Sequence, residues 1–289
     1  MISTTFKDKW EKNARLVFKE TLSEKSEIFQ WILNRNGFKT PSAFRAYLRG
    51  RRRILDAGCG NGRVTALLRK YSDPRKAEVV GIDIASAHVA RRNLANVPNV
   101  SIRKKDILAG LSDLGRFDFI YCQEVLHHTP NPRKAFLNLT ERLEKGGEIA
   151  IYVYKKKAPM REFVDDYVRS RISKLPYDKA MVICDQITRL GKTLHEMKTR
   201  MKVPSVEILE IEGGKYDLQR FVYYFFMKCF WNPSLSFHAN SVINYDWYHP
   251  HYCSRYRRDD VREWFRAAHL RVVHECVDHY GITMRGRAR

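Results

Sequence analysis

The sequence predicts an α/β fold built around a parallel sheet, and three observations carry that prediction. Short apolar segments alternate with amphipathic ones from residue 54 to residue 154, the pattern of successive βαβ units. The first apolar segment, 54–57, runs straight into a glycine-rich turn that opens a helical pattern. The alternation stops after 154 and returns only beyond residue 256.

Residues 1–49 read as an N-terminal helical cap. Phe6, Trp10, Leu16, Val17 and Phe18, then Ile28, Trp31 and Ile32, recur among charges at loosely helical spacing, punctuated by Gly37 and Pro41. The core follows over 50–155, with strands at 54–57, 78–84, 100–103, 117–122 and 148–154. Helices are predicted between them at 64–71, 86–95 and 132–143, and Gly146-Gly147 turns the chain into the last of these strands. Residues 156–250 read as an insertion. It holds a basic helical stretch, Gly213-Gly214, and an aromatic run at 221–231 that is apolar around its circumference and reads as one buried helix. Residues 251–289 complete the core, with a helix at 259–268 and strands at 272–277 and 282–285.

With 44% hydrophobic residues in 289, the chain has enough apolar material for a real core, which excludes general disorder. No apolar run is long enough to span a bilayer, and the charged first ten residues lack the apolar stretch of a signal peptide. A soluble, cytoplasmic protein is expected. None of the six cysteines forms a CxxC pair, so neither a zinc knuckle nor a redox dithiol is indicated, and scattered thiols suit a reducing compartment. Lys and Arg number 53 against 32 acids, a net charge of +21 spread over both halves of the chain. Such a surface suits an anionic partner, which admits RNA and peripheral contact with an anionic membrane. The bases Lys155 to Lys157 read first as a solvated face.

The chemistry is concentrated in the turn after the first strand. Gly58, Gly60 and Gly62 permit tight turns and close approach of a ligand to the main chain. Asp83, at the end of the next strand, stands where a carboxylate would accept hydrogen bonds from ribose hydroxyls. The third glycine comes one residue early for a dinucleotide fingerprint, whose pyrophosphate would sit on the helix N-terminus.

The segments ILDAGCGNGR (54–63), VVGIDIA (79–85), KKDIL (104–108), FDFIYCQEVLHHTPNP (117–132) and LEKGGEIAIYVY (143–154) follow one another in order. With them the chain resembles the class I S-adenosylmethionine (SAM)-dependent methyltransferases, particularly those acting on small molecules. The resemblance implies a Rossmann-like seven-stranded sheet with helices on both faces. To this it adds N-terminal helices and a mainly helical insertion before the last helix and β-hairpin. It also implies SAM as the cofactor. Asp56, Gly58, Cys59 and Gly60 would line its methionine end, and Asp83 with Ile84 would lie at its ribose. Asp106 with Ile107 would lie at its adenine, and Cys122 and Gln123 would border its methyl group.

Methyl transfer from a sulfonium is an in-line displacement, helped by a general base when the acceptor must lose a proton. His127, beside His128 after the fourth core strand, is one candidate, with local packing as its other reading. A second cluster precedes the last core helix, where Tyr245, Asp246, His249 and His251 are candidates for acceptor contact or catalysis. Its other reading is an anchor holding the insertion to the core. No tetrahedral Cys/His set or carboxylate-rich set is evident, so no metal is expected. CQEV (122–125) lacks the Asn/Asp-Pro-Pro-aromatic tetrapeptide of many enzymes that modify exocyclic base nitrogens. Cys122 also lacks the surroundings of a nucleophile for pyrimidine C5. A small-molecule acceptor is therefore the leading expectation, ahead of another kind of RNA methylation and of a non-catalytic scaffold with the same fold.

Overall fold

The computed structural model describes residues 2–289; Met1, the first residue of the predicted cap, lies outside them. The chain divides into two compact units. One comprises Phe6–Lys155 with Ser254–Arg289, the other Lys156–Cys253 with the N-terminal residues through Thr5.

The N-terminal segment forms α1 (Ile2–Lys12), α2 (Phe18–Leu22), α3 (Glu27–Arg35) and α4 (Pro41–Arg49). Local chemistry sets the starts of the last two. The Ser26 and Thr40 side chains accept from the Phe29 and Ala43 amides, and Pro41 fills the first turn of α4, where its missing N–H costs nothing. Apolar residues at helical spacing, Phe29, Ile32 and Leu33 on α3 and Phe44 and Leu48 on α4, are buried.

The core then runs β1 (Arg53–Ala57), α5 (Arg63–Tyr71), β2 (Glu78–Asp83), α6 (Ala87–Asn93), β3 (Val100–Lys104), β4 (Phe117–Gln123), α7 (Pro132–Thr140) and β5 (Leu143–Tyr154). These strands are parallel, and the central ones are apolar on both faces, as a sheet covered on both sides requires. β5 begins five residues earlier than predicted. Gly146, at φ +75°, lets the strand pass a register shift opposite Phe117 and Phe119, so the glycines lie within the strand.

Residues 156–253 hold α8 (Pro159–Ile172), α9 (Tyr177–Glu196), a hairpin of β6 (Arg200–Val203) and β7 (Gly214–Asp217), α10 (Leu218–Phe225) and α11 (Phe237–Tyr248). The run 221–231 is not one helix: α10 ends at Phe225. Side chains from elsewhere take the backbone groups beyond it. Asp165 accepts from the Lys228 amide, Gln219 donates to the Cys229 carbonyl, and the Asn244 side chain bonds both the N–H and C=O of Phe230. β6 alternates polar and apolar residues over only four positions, too few to stand out from a loop, and the hairpin is an addition to the predicted architecture.

The chain closes with α12 (Arg258–Ala267), β8 (Arg271–Val277) and β9 (Gly281–Arg287). The full sheet has the order β3-β2-β1-β4-β5-β9-β8, with β9 antiparallel to β5 and to β8. This is the seven-stranded, Rossmann-like sheet expected. One apolar core joins the sheet to α7 and α12, and another joins its opposite face to α3, α4 and α5. The strand order reverses between β1 and β4, so ligands are expected beyond the carboxyl ends of those strands.

Candidate active site

The turn leaving β1 is wound by its glycines. Gly58, Gly60 and Gly62 have φ of +82°, +55° and +87°, the left-handed region that side chains disfavour. The amides of Gly58 and Cys59 both donate to the Ile82 carbonyl at 2.8 and 2.9 Å, tying the turn to the end of β2. A Cβ on Gly58 would lie 2.3 Å from the Val125 side chain, and one on Gly60 would lie 3.0 Å from the Trp10 indole.

Asp83 ends β2 against this turn. Its Oδ1 accepts from the Ala85 amide (2.8 Å), the Ser86 amide (2.7 Å) and the Ser86 hydroxyl (3.0 Å). Its Oδ2 accepts only the Gly60 amide, at 3.0 Å. The acceptor capacity left for a ribose hydroxyl is therefore on Oδ2, and the carboxylate also fixes the loop it faces. Ile84 is exposed beside it and offers an apolar surface to a flat base. Asp106 is half-buried and accepts from the Leu108 amide at 2.8 Å, while Ile107 is buried beneath it.

Asp56 lies under the glycine turn, almost wholly buried, and accepts a 2.6 Å bond from the Thr65 hydroxyl. Burial pushes its carboxyl up to about 7, with the Thr65 bond and Arg63 opposing. Cys59 and Cys122 are buried thiols whose pKa burial raises, so neither is a ready thiolate.

At the end of β4 the polar groups form a chain. Asn36 donates to the Tyr121 hydroxyl at 3.2 Å, and that hydroxyl donates to Gln123 Oε1. The Gln123 Nε2 is buried without a hydrogen-bond partner. Glu124 follows at φ +59°, a left-handed conformation uncommon for a side chain and frequent at functional turns, and it pairs with Arg63 at 3.5 Å. His127 is fully buried, with its ring 3.7 Å from that of Tyr154 and 4.3 Å from that of His128. Its carbonyl accepts from the Ser254 amide, so the residue also joins the β4 turn to the start of the C-terminal segment.

A carboxylate with one open acceptor position, beside glycines that allow close approach, fits a ligand bearing a ribose and an amino-acid chain. The residues that sequence reasoning missed come from the N-terminal segment. Trp10 packs on Gly60, and Asn61 donates to the Ala14 and Leu16 carbonyls at 3.2 Å each, so residues 10–16 border the glycine turn. An isolated aromatic in a charged helix gives no local signal of that placement.

The second candidate cluster lies in the other unit. Tyr245 and Asp246 fall on α11 and His249 caps its end, so the segment through Tyr248 is helix. Tyr245 is fully buried and stacks on the His249 ring at 4.5 Å. The two His249 nitrogens engage the Thr5 hydroxyl and the Leu175 carbonyl, each at 2.9 Å. Both rings are thereby committed to holding the end of α11. Asp246 is half-buried and His251 exposed. Among the described residues no group of three or more His, Cys, Asp and Glu is placed to hold a metal ion.

A family model described as a methyltransferase domain matches residues 49–197. The ubiquinone biosynthesis O-methyltransferase of Coxiella burnetii is 27% identical over 194 residues, which cover 61% of this chain and 76% of that protein. The trans-aconitate 2-methyltransferase of Deinococcus radiodurans is 33% identical over 100 residues, covering 35% and 37% of the two chains. Among solved structures, a SAM-dependent methyltransferase from Aquifex aeolicus aligns with a TM-score of 0.48 and 14% identity over 98% of each chain.

Proposed function

The chain belongs to the methyltransferase-domain family and is a SAM-dependent methyltransferase, and we propose that it methylates a small-molecule acceptor by in-line displacement. One observation carries the reading of the acceptor. On the α3 side of the sheet, the ends of β4 and β5 are walled by the rings of Trp31, Tyr152, Tyr154 and His127, with centroids 3.7 to 6.4 Å apart in successive pairs. An aromatic surface at the ends of these strands suits a compact, flat acceptor better than a polyanion held by basic side chains.

SAM supplies an electrophilic methyl group on a sulfonium. The contribution of this chain is placement. The glycine turn with Asp56, Gly58, Cys59 and Gly60 would hold the amino-acid end. Asp83 beside Ile84 would hold the ribose, Asp106 and Ile107 would border the adenine, and Cys122 and Gln123 would border the reacting end. Alignment and exclusion of water account for most of the acceleration such a displacement needs. A buried His127 among aromatic rings serves that exclusion and is the candidate base in the turn after β4. In the insertion 156–250 and the turn that follows it, proposed to add acceptor selectivity, Asp246 and His251 are the contact candidates, and Tyr245 and His249 are proposed to shape the segment that carries them.

The test is to incubate the protein with methyl-labelled SAM and, separately, with the metabolite, lipid and RNA fractions of its source cell. Label is expected in a small molecule, polar or lipid, and absent when Asp83→Ala replaces the wild type. Label in RNA, or in no fraction, would overturn the small-molecule reading.

A further inference from the structure

The acceptor side of the site contains a buried cation whose bonding is incomplete. Arg35, at the last position of α3, is 4% exposed. Its guanidinium carbon lies 3.7 Å from the centre of the Trp31 ring, 4.8 Å from that of Tyr152 and 5.3 Å from that of Tyr280. Its Nη2 lies 2.5 Å from an Asp278 carboxylate oxygen, whereas Nε and Nη1 are buried without a hydrogen-bond partner.

The register of the sheet brings Gln123 to the same place. Gln123 on β4 is the parallel partner of Tyr152 on β5, so both side chains rise from one face, and Tyr152 is the ring that Arg35 overlies. The Gln123 Nε2 is the third buried donor there with no acceptor. A buried donor left without an acceptor is costly, and three together at the carboxyl edge of the sheet call for an explanation in terms of a ligand. All are donors, two belong to one guanidinium, and the surroundings are aromatic. That is the chemistry of a planar carboxylate carried on a flat, apolar body.

We propose that Arg35 and Gln123 read a carboxylate on the acceptor, making Arg35 a specificity-determining residue of the methyl transfer. The inference rests on the small-molecule reading above and narrows it to organic acids, with aromatic or planar unsaturated acids fitting the walls best. Asp278 holds the guanidinium by Nη2, the Tyr152 hydroxyl shares a hydrogen bond with it, and Nε and Nη1 on either side of Nη2 are left for the ligand.

A carboxylate at Arg35 has two sources, the acceptor and the amino-acid end of the cofactor, and the experiment separates them. The full chain is saturated with S-adenosylhomocysteine and titrated with benzoate, with uncharged benzamide as the matched control, by thermal shift and calorimetry. Benzoate is expected to bind and benzamide to bind at least about tenfold more weakly, the worth of one charge-assisted bond. Arg35→Met and Gln123→Leu should each weaken benzoate by about tenfold. The affinity for S-adenosylhomocysteine should stay within about twofold in Arg35→Met, since Arg35 is assigned no contact with the cofactor, whereas Gln123 borders its reacting end. Arg35→Lys keeps the charge and the Asp278 partner but loses the fork, and should bind benzoate with intermediate strength. If Arg35→Met does not fold, Arg35→Lys and Gln123→Leu decide the matter. Equal binding of benzoate and benzamide, or no binding of either, overturns the proposal. So does a loss of S-adenosylhomocysteine affinity in the Arg35 variants, which would give the fork to the cofactor. Failure here would leave label partition between metabolites and RNA unaffected, so the two readings fall separately.

Discussion

At the scale of single residues, the site is governed by what burial does to polar groups. Asp56 is an acid whose folded pKa, about 7, stands above its unfolded value of 3.8. Between those values the native chain holds the proton that the unfolded chain has lost, so this residue lowers stability as pH rises from about 4 to about 7 and adds no slope beyond. Asp56→Asn keeps an oxygen to accept from Thr65 and should flatten that slope, which is at most about 1.4 kcal/mol per pH unit. Denaturant titrations from pH 4 to 8 measure it, and an unchanged slope in the variant would refute the assignment. Gly58 gives a steric test. A methyl group there meets Val125 at 2.3 Å in a backbone conformation with φ +82°, so Gly58→Ala should cost about 1–3 kcal/mol of stability as well as cofactor affinity. Wild-type stability in Gly58→Ala would mean the turn is not wound as described.

At the scale of elements, residues 156–253 are organised by one carboxylate. Asp165 on α8 is fully buried and accepts from Arg161 Nε at 3.1 Å, Trp247 Nε1, the Tyr248 hydroxyl and the Lys228 amide, the last three at 2.8 to 2.9 Å. Its removal strands a buried guanidinium, so Asp165→Ala should destabilise this unit by about 3–5 kcal/mol. Hydrogen exchange of α8 and α11 would register the loss, and unaltered protection there would contradict it. Gly191 tests the same packing: a Cβ would meet the Cys229 carbonyl at 2.4 Å, so Gly191→Val should disrupt α9 where it crosses 226–231. Protease sensitivity confined to that unit is the expected readout. These contacts explain which elements were legible. The central strands of the parallel sheet announce themselves because they are apolar on both faces over consecutive residues, and α5, α7 and α12 because each carries one apolar face. The end of α10 was hidden. Asn244, Gln219 and Asp165 decide it from up to 63 residues away, and no local propensity in 221–231 reports them.

At the scale of the whole molecule, the cofactor seat could be proposed from sequence because it is local: the glycines and Asp83 sit at the ends of adjacent strands within one βαβ unit. The proposed acceptor side draws Arg35 and Asn36 from the end of α3, Gln123 from β4 and Asp278 from the final hairpin, and that grouping exists only once the sheet has closed. No helix among the described residues is long and apolar enough to cross a membrane. The account stands or falls on the seat at the ends of β1 and β2, and calorimetric titration of the chain with SAM tests it most directly. Wild type is predicted to bind one SAM per chain, and Asp83→Asn to weaken binding by about tenfold or more through loss of the charged acceptor. Undiminished affinity in Asp83→Asn, with its fold intact by circular dichroism, would contradict the placement of the cofactor.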